Sequence, residues 1–185
     1  MLAKKCIMLV YNDETQNKLA EFAESLGLDP YINFYGERGD TPQEYHITVM
    51  YSSNAVQMPE EGMFNIDPIE VEHDGWCVLG FDQKYLCLDI DSDEVEHVFN
   101  FYKSKGLKHS YDKLKIHTTL SYQDITFDEE IVDDLKMIRV PFQLIIDKVR
   151  VCNITEDTLS INKIRMSPAK SFQYWWHAKQ KTELF

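Results

Sequence analysis

Tyr45-His46-Ile47-Thr48-Val49-Met50-Tyr51 and Lys115-Ile116-His117-Thr118-Thr119-Leu120-Ser121-Tyr122 carry one pattern, His-x-Thr followed by an apolar residue. Alternate side chains of an extended strand share a face, so His46 and Thr48 point one way and Tyr45, Ile47, Val49 and Tyr51 the other. In the second stretch His117, Thr119 and Ser121 share a face. Ile116, Thr118, Leu120 and Tyr122 form the opposite, mostly apolar one. Each stretch therefore predicts a strand with one face for a core and another that presents an imidazole and a hydroxyl. Six histidines and nine threonines in 185 residues give about 0.3 chance His-x-Thr matches, and fewer when an apolar residue must follow. Two such matches argue for a repeated functional element.

Upstream of the first motif, Lys4 to Tyr11 reads as a buried strand. Asp13 and Gln16 resemble a capping pair for a helix whose Leu19, Phe22, Ala23 and Leu26 recur at helical spacing, closed by Gly27. Residues 28 to 43, with Pro30, Gly36, Gly39 and Pro42, form a loop long enough to be functional. Between the motifs, Phe64 to Glu72, Trp76 to Phe81 and Tyr85 to Ile90 read as an antiparallel meander. Its turn signals are His73-Asp74-Gly75 and Asp82-Gln83. Ser92 caps a second helix with an apolar stripe of Val95, Val98, Phe99 and Tyr102, ended by Gly106. Each motif strand thus follows a helix and a loop. Beyond the second motif, Ile131, Val132, Leu135 and Ile138 mark a third helix, broken by Pro141. Phe142 to Asn153 and Thr158 to Met166 read as strands. Ser167-Pro168 opens a final helix, about 167–185, whose Phe172, Trp175 and Trp176 would dock it on the body.

The length suits one domain over 1–185, with no linker or low-complexity stretch. No apolar run approaches the roughly 20 residues of a membrane helix, and the N-terminus lacks a signal-peptide cleavage site, so a cytoplasmic protein is expected. Cys6, Cys77, Cys87 and Cys152 are scattered without a Cys-x-x-Cys spacing, which predicts reduced thiols rather than disulfides or zinc. His73-x3-Cys77 lacks a second ligand pair. A formal charge of −12, from 31 acidic and 19 basic residues, argues against a long nucleic acid as partner. A small phosphorylated ligand needs only a few local cations and donors.

Two imidazoles presented together can take one proton and give another in a single reaction. That suits phosphodiester cleavage without a metal or other cofactor. One histidine removes a proton from water or a sugar hydroxyl, the other protonates the leaving oxygen, and the Thr48 and Thr119 hydroxyls donate to the non-bridging oxygens.

The paired motifs resemble those of the 2H phosphoesterase superfamily, which includes cyclic phosphodiesterases and the 2′-5′ RNA ligase-like proteins. The resemblance implies an α+β bilobal fold, with two antiparallel β-sheets, flanking helices and a central cleft that holds one motif from each pseudo-symmetric lobe. It also implies that His46 and His117 are acid and base and that Thr48 and Thr119 clamp phosphate; Thr118 falls at the variable position. Within the superfamily the chain is most similar to the bacteriophage anti-CBASS nucleases. The features are the compact motifs, Tyr11 at the end of the first strand, Trp76 between the motifs and Asp147 after the second. That similarity implies a cyclic di- or trinucleotide substrate, a monomer acting in the host bacterial cytoplasm, base stacking on Tyr11, Trp76 and Tyr122, and catalytic support from Asp147. Tyr11 and Trp76 are equally suited to packing, and Asp147, Lys113, Lys115 and Tyr122 to ordinary solvation. Two other functions remain open: opening of 2′,3′-cyclic phosphates in RNA processing, and nucleotide sequestration without turnover.

Overall fold

The computed structural model describes residues 2–80, 84–111, 113–127, 129–154 and 170–171. The elements run β1 (Lys4–Tyr11), α1 (Asp13–Ser25), β2 (His46–Tyr51), β3 (Gly62–Leu79), β4 (Tyr85–Asp91), α2 (Asp93–Ser104), β5 (His117–Thr119), β6 (Ile125–Thr126), α3 (Glu129–Leu135), β7 (Leu144–Ile154) and β8 (Lys170–Ser171). The fold is α+β. Six strands form one closed antiparallel ring in the order β1-β2-β5-β4-β3-β7, β7 pairing back onto β1.

Two separate sheets were expected, and a single ring is found. The reason lies in β3, whose first half pairs with β7 and whose second half pairs with β4. The expected turn at His73-Asp74-Gly75 is instead a bulge in this 18-residue strand. His73 holds it, with Nε2 donating to the Gly75 carbonyl at 2.7 Å and Nδ1 accepting from the Val140 amide at 3.2 Å. A strand that bends at a bulge can continue where a turn would reverse it.

The ring order places β2 beside β5 at its centre, with β1 and β4 as their outer neighbours. Both motif strands are entered in the same way. Helix α1 is capped by Asn12, whose Oδ1 accepts from the Thr15 amide at 2.8 Å, and α2 by Ser92, whose Oγ accepts from Val95 at 3.2 Å. The expected Asp13/Gln16 pair is therefore displaced by one residue, and Gln16 is free for another task. Both helices end at a glycine of positive φ, Gly27 at 78° and Gly106 at 91°, followed by a buried leucine, Leu28 or Leu107. This is the glycine C-terminal cap with its hydrophobic contact.

The strands' apolar faces turn outward to the helices. Leu9 and Val149 line a cavity together with Val98, Phe101 and Tyr102 of α2, and Phe22 of α1 packs on Trp76 of β3 at 6.2 Å between rings. Ile7, Leu9, Ile47, Val49, Leu86, Leu88 and Leu120 are wholly buried there. The alternate residues, including both histidines, turn toward the ring's interior.

Helix α3 is shorter than expected, ending at Leu135. Residues 170–171 form β8, parallel to β6, where a helix was expected; their backbone joins Ile125 and Thr126 instead. The expected strand Thr158 to Met166 and the residues Phe172, Trp175 and Trp176 lie outside the described residues. Among the described residues no helix is long and apolar enough to cross a membrane.

Candidate active site

The two motifs lie side by side. Ile47 of β2 pairs with Thr118 of β5 in antiparallel register, which sets His46 opposite Thr119 and Thr48 opposite His117. Directly opposed residues of adjacent strands have Cβ atoms roughly 4.5–5.5 Å apart, and diagonal neighbours roughly 7–8 Å. The four side chains therefore form a square on one face, with the imidazoles on one diagonal and the threonines on the other. A local dyad through Ile47 and Thr118 exchanges the motifs.

The same device orients each ring. Nδ1 of His46 lies 3.1 Å from the Glu44 carbonyl, and Nδ1 of His117 lies 2.7 Å from the Lys115 carbonyl, in both cases two residues upstream. A carbonyl can only accept, so Nδ1 carries the proton and Nε2 of the neutral ring presents its lone pair. Burial drives the pKa of His46 down to about 4, against the Glu44 carbonyl that favours its charged form; Arg150 and His117 lower it further. Burial also lowers that of His117. The Lys115 carbonyl and the Asp89 carboxylate oppose this, while the Lys115 ammonium adds to it.

Two glutamines fix the ends of the motifs. Gln16 of α1 accepts from the Tyr45 amide at 2.7 Å and donates to the Tyr45 and Tyr11 carbonyls at 2.8 and 3.2 Å. Gln43, at the end of the 28–43 loop, donates to the Leu120 carbonyl at 2.9 Å. Beside His46, Arg150 of β7 forms a two-point ion pair with Glu44, at 2.6 and 2.7 Å. Gln43, Glu44 and Arg150 did not stand out in the sequence, and Gln16 did so only as half of a helix cap. Strand alternation in Lys148-Val149-Arg150-Val151 marks Arg150 as facing the motifs' side, but the partner strand is visible only in the fold.

Of the residues predicted to touch substrate, Tyr122 meets a motif threonine. Its hydroxyl interacts with Thr119, and its ring meets Phe34 and Tyr85 edge-on, each at 5.5 Å. Tyr35, half exposed, packs on Phe34 at 5.7 Å. The 28–43 loop thus brings two further aromatic rings to the second motif.

Tyr11 and Trp76 lie behind the site, on the outward face. Tyr11 is wholly buried, and its hydroxyl bonds Thr118 Oγ1 at 2.7 Å, bracing the central residue of the second motif from the core side. Trp76 is 7% exposed, packed between Phe22 and His73, with its indole N–H donated to the Ile138 carbonyl at 2.9 Å. Asp147 occupies the bulge of β7 between Ile146, paired with Tyr11, and Lys148, paired with Val10. Its carboxylate meets Lys148 at 3.5 Å. Lys113 is exposed, whereas Lys115 reaches within 3.8 Å of Asp89.

The Tyr11–Thr118 pair carries a direct prediction. Tyr11→Phe or Thr118→Val alone strands a hydroxyl in the core and costs about 1–3 kcal/mol, whereas removing both hydroxyls together is close to neutral. Urea unfolding of the two single variants and the double variant closes that cycle. Strictly additive losses would mean the two hydroxyls are not partners.

All four cysteines are reduced, although Cys6 faces Cys152, and Cys77 faces Cys87, across neighbouring strands. Among the described residues no three His, Cys, Asp or Glu side chains gather at one point. No curated protein compared with the chain matches it. A family model does match: that of anti-CBASS protein Acb1, over residues 7–149, from within β1 to within β7 and across both motifs. The chain therefore belongs to the anti-CBASS protein Acb1 family, whose function is to counter the CBASS defence of bacteria.

Proposed function

We propose that this protein is a metal-independent phosphodiesterase of the 2H type that linearises cyclic di- or trinucleotides, and that it counters CBASS by destroying the signal. The observation that carries the reading is the dyad-related square of two imidazoles and two hydroxyls, with neither Nε2 atom taken by a protein partner among the described residues. An isolated histidine needs no twin. Two rings held in one tautomer by the same contact, each facing the other motif's threonine, fit a reaction that needs a base and an acid at opposite ends of one phosphate.

In this scheme one imidazole takes the proton of a ribose 2′-hydroxyl. The 2′-oxygen forms a bond to the adjacent phosphorus, the bond from phosphorus to the 5′-oxygen breaks, and the leaving oxygen takes a proton from the second, protonated imidazole. The products are a 5′-hydroxyl and a 2′,3′-cyclic phosphate, which water opens with the two histidines in reversed roles. Thr48 and Thr119 donate to the non-bridging oxygens as charge develops there. Tyr122, Phe34 and Tyr35 offer ring faces and edges for a base, since stacking tolerates any base. The two lobes of the 2H fold would correspond to the two halves of the ring, and the chain would act as a single-domain monomer in the host bacterial cytoplasm.

Purified protein with chelator, incubated with 3′-5′ and mixed-linkage cyclic di- and trinucleotides and a 2′,3′-cyclic mononucleotide, is the deciding assay. Linear products from the cyclic oligonucleotides are expected. Turnover of the mononucleotide alone would replace this reading with an RNA-processing phosphodiesterase, and tight binding without product would make the protein a sequestering module. A substrate lacking the 2′-hydroxyl at the scissile linkage should resist cleavage.

A further inference from the structure

The local dyad relates His46 to His117, but their neighbours across the outer strand pairs differ. Val10 of β1 stands opposite His46, and Asp89 of β4 stands opposite His117. Carboxylate and imidazole therefore leave adjacent strands on the same face, with Cβ atoms roughly 4.5–5.5 Å apart. Asp89 Oδ1 is buried and takes no hydrogen bond among the described residues; Lys115 Nζ stands 3.8 Å away. A buried carboxylate oxygen without a donor is costly. A positively charged ring across the strand pair offsets that cost.

We propose that Asp89 makes the two motifs unequal, stabilising the imidazolium of His117 so that His117 protonates the leaving oxygen while His46 takes the proton of the attacking hydroxyl. Asp89 acts through His117 and is a positioning residue; the assignment of acid and base rests on the phosphodiesterase reading above. Of the remaining charged groups around the pair, the Lys115 ammonium opposes the imidazolium of His117, and Asp89 works against that ammonium. Asp89 and Cys87 face His117 from β4, His46 faces it from β2, Lys115 from its own strand's approach, and Cys77 lies beyond Cys87 on β3. His46 has the cation Arg150 as neighbour, which disfavours a second positive charge there.

Both rings titrate below the ordinary imidazole range, His46 at about 4. A base must be neutral and an acid protonated. The acid limb of kcat/KM for the free enzyme thus follows His46, and the alkaline limb follows His117.

Imidazole NMR titration of the full chain tests the pairing. In Asp89→Asn the His117 pKa falls by about one unit or more, as loss of an adjacent opposite charge requires, while His46 moves far less. Lys115→Met, at an exposed side chain, moves His117 the other way. With a cyclic oligonucleotide as substrate, the alkaline limb of kcat/KM shifts to lower pH in Asp89→Asn by the same amount, and Asp89→Glu restores it. A His117 titration unchanged by both substitutions, or His46 moving as far as His117, overturns the proposal even if the wild type cleaves its substrate. Should His117 shift while the wild type cleaves nothing, the phosphodiesterase reading fails and takes the acid role with it, leaving the charge coupling as a measured fact.

Discussion

Alanine at His46 or at His117 lowers kcat for cleavage of a cyclic oligonucleotide by roughly 10²- to 10⁴-fold, the range that a positioned acid or base contributes. KM changes little, because neither ring supplies most of the binding. The double variant is scarcely slower than the worse single one, since a base without an acid, or the reverse, already forfeits the concerted proton transfer. Stability serves as the control. Both rings line the interior face rather than the apolar outward layer, so the urea midpoint should move little. Additive losses in the double variant would mean that the histidines act in separate steps, and an active single variant would remove that residue from the chemistry.

The two motif strands were legible because strand alternation alone sorts His46 and Thr48 from Ile47 and Val49, and the structure keeps that division. The apolar stripes and glycine ends of α1 and α2 were equally local signals, and both helices form. Ring closure was not legible. It depends on one strand, β3, serving two partners, and the Asp74-Gly75 pair that suggests a turn can equally make a bulge. Residues whose role comes from strand order were hidden for the same reason. Nothing in Leu86-Cys87-Leu88-Asp89 says that β5 will lie beside it, so Asp89 passed unnoticed while Asp147 drew attention from its place after the motif. Gln16 read as part of a cap because its distant partner, the Tyr45 backbone, is 29 residues away.

Trp76→Ala costs about 3–5 kcal/mol of stability, the usual range for deleting a buried aromatic ring. That corresponds to a fall in Tm of roughly 10 °C for a chain of this size. Three contacts are lost: the ring packs on Phe22 of α1, meets His73 edge-on at 5.1 Å, and its N–H serves the Ile138 carbonyl just beyond α3. One side chain thus ties β3 to two helical regions, and its loss loosens both. Below the unfolding transition, kcat/KM per folded molecule stays near the wild-type value, since the ring lies on the outward face while the histidines face inward. A base-stacking role gives the opposite pattern, because a lost stacking platform costs about 1–3 kcal/mol per base in binding and leaves Tm nearly fixed. Trp76→Phe separates the two terms within the packing account. It keeps most of the apolar contact and loses the donor to Ile138, so about 1 kcal/mol of the deficit should remain.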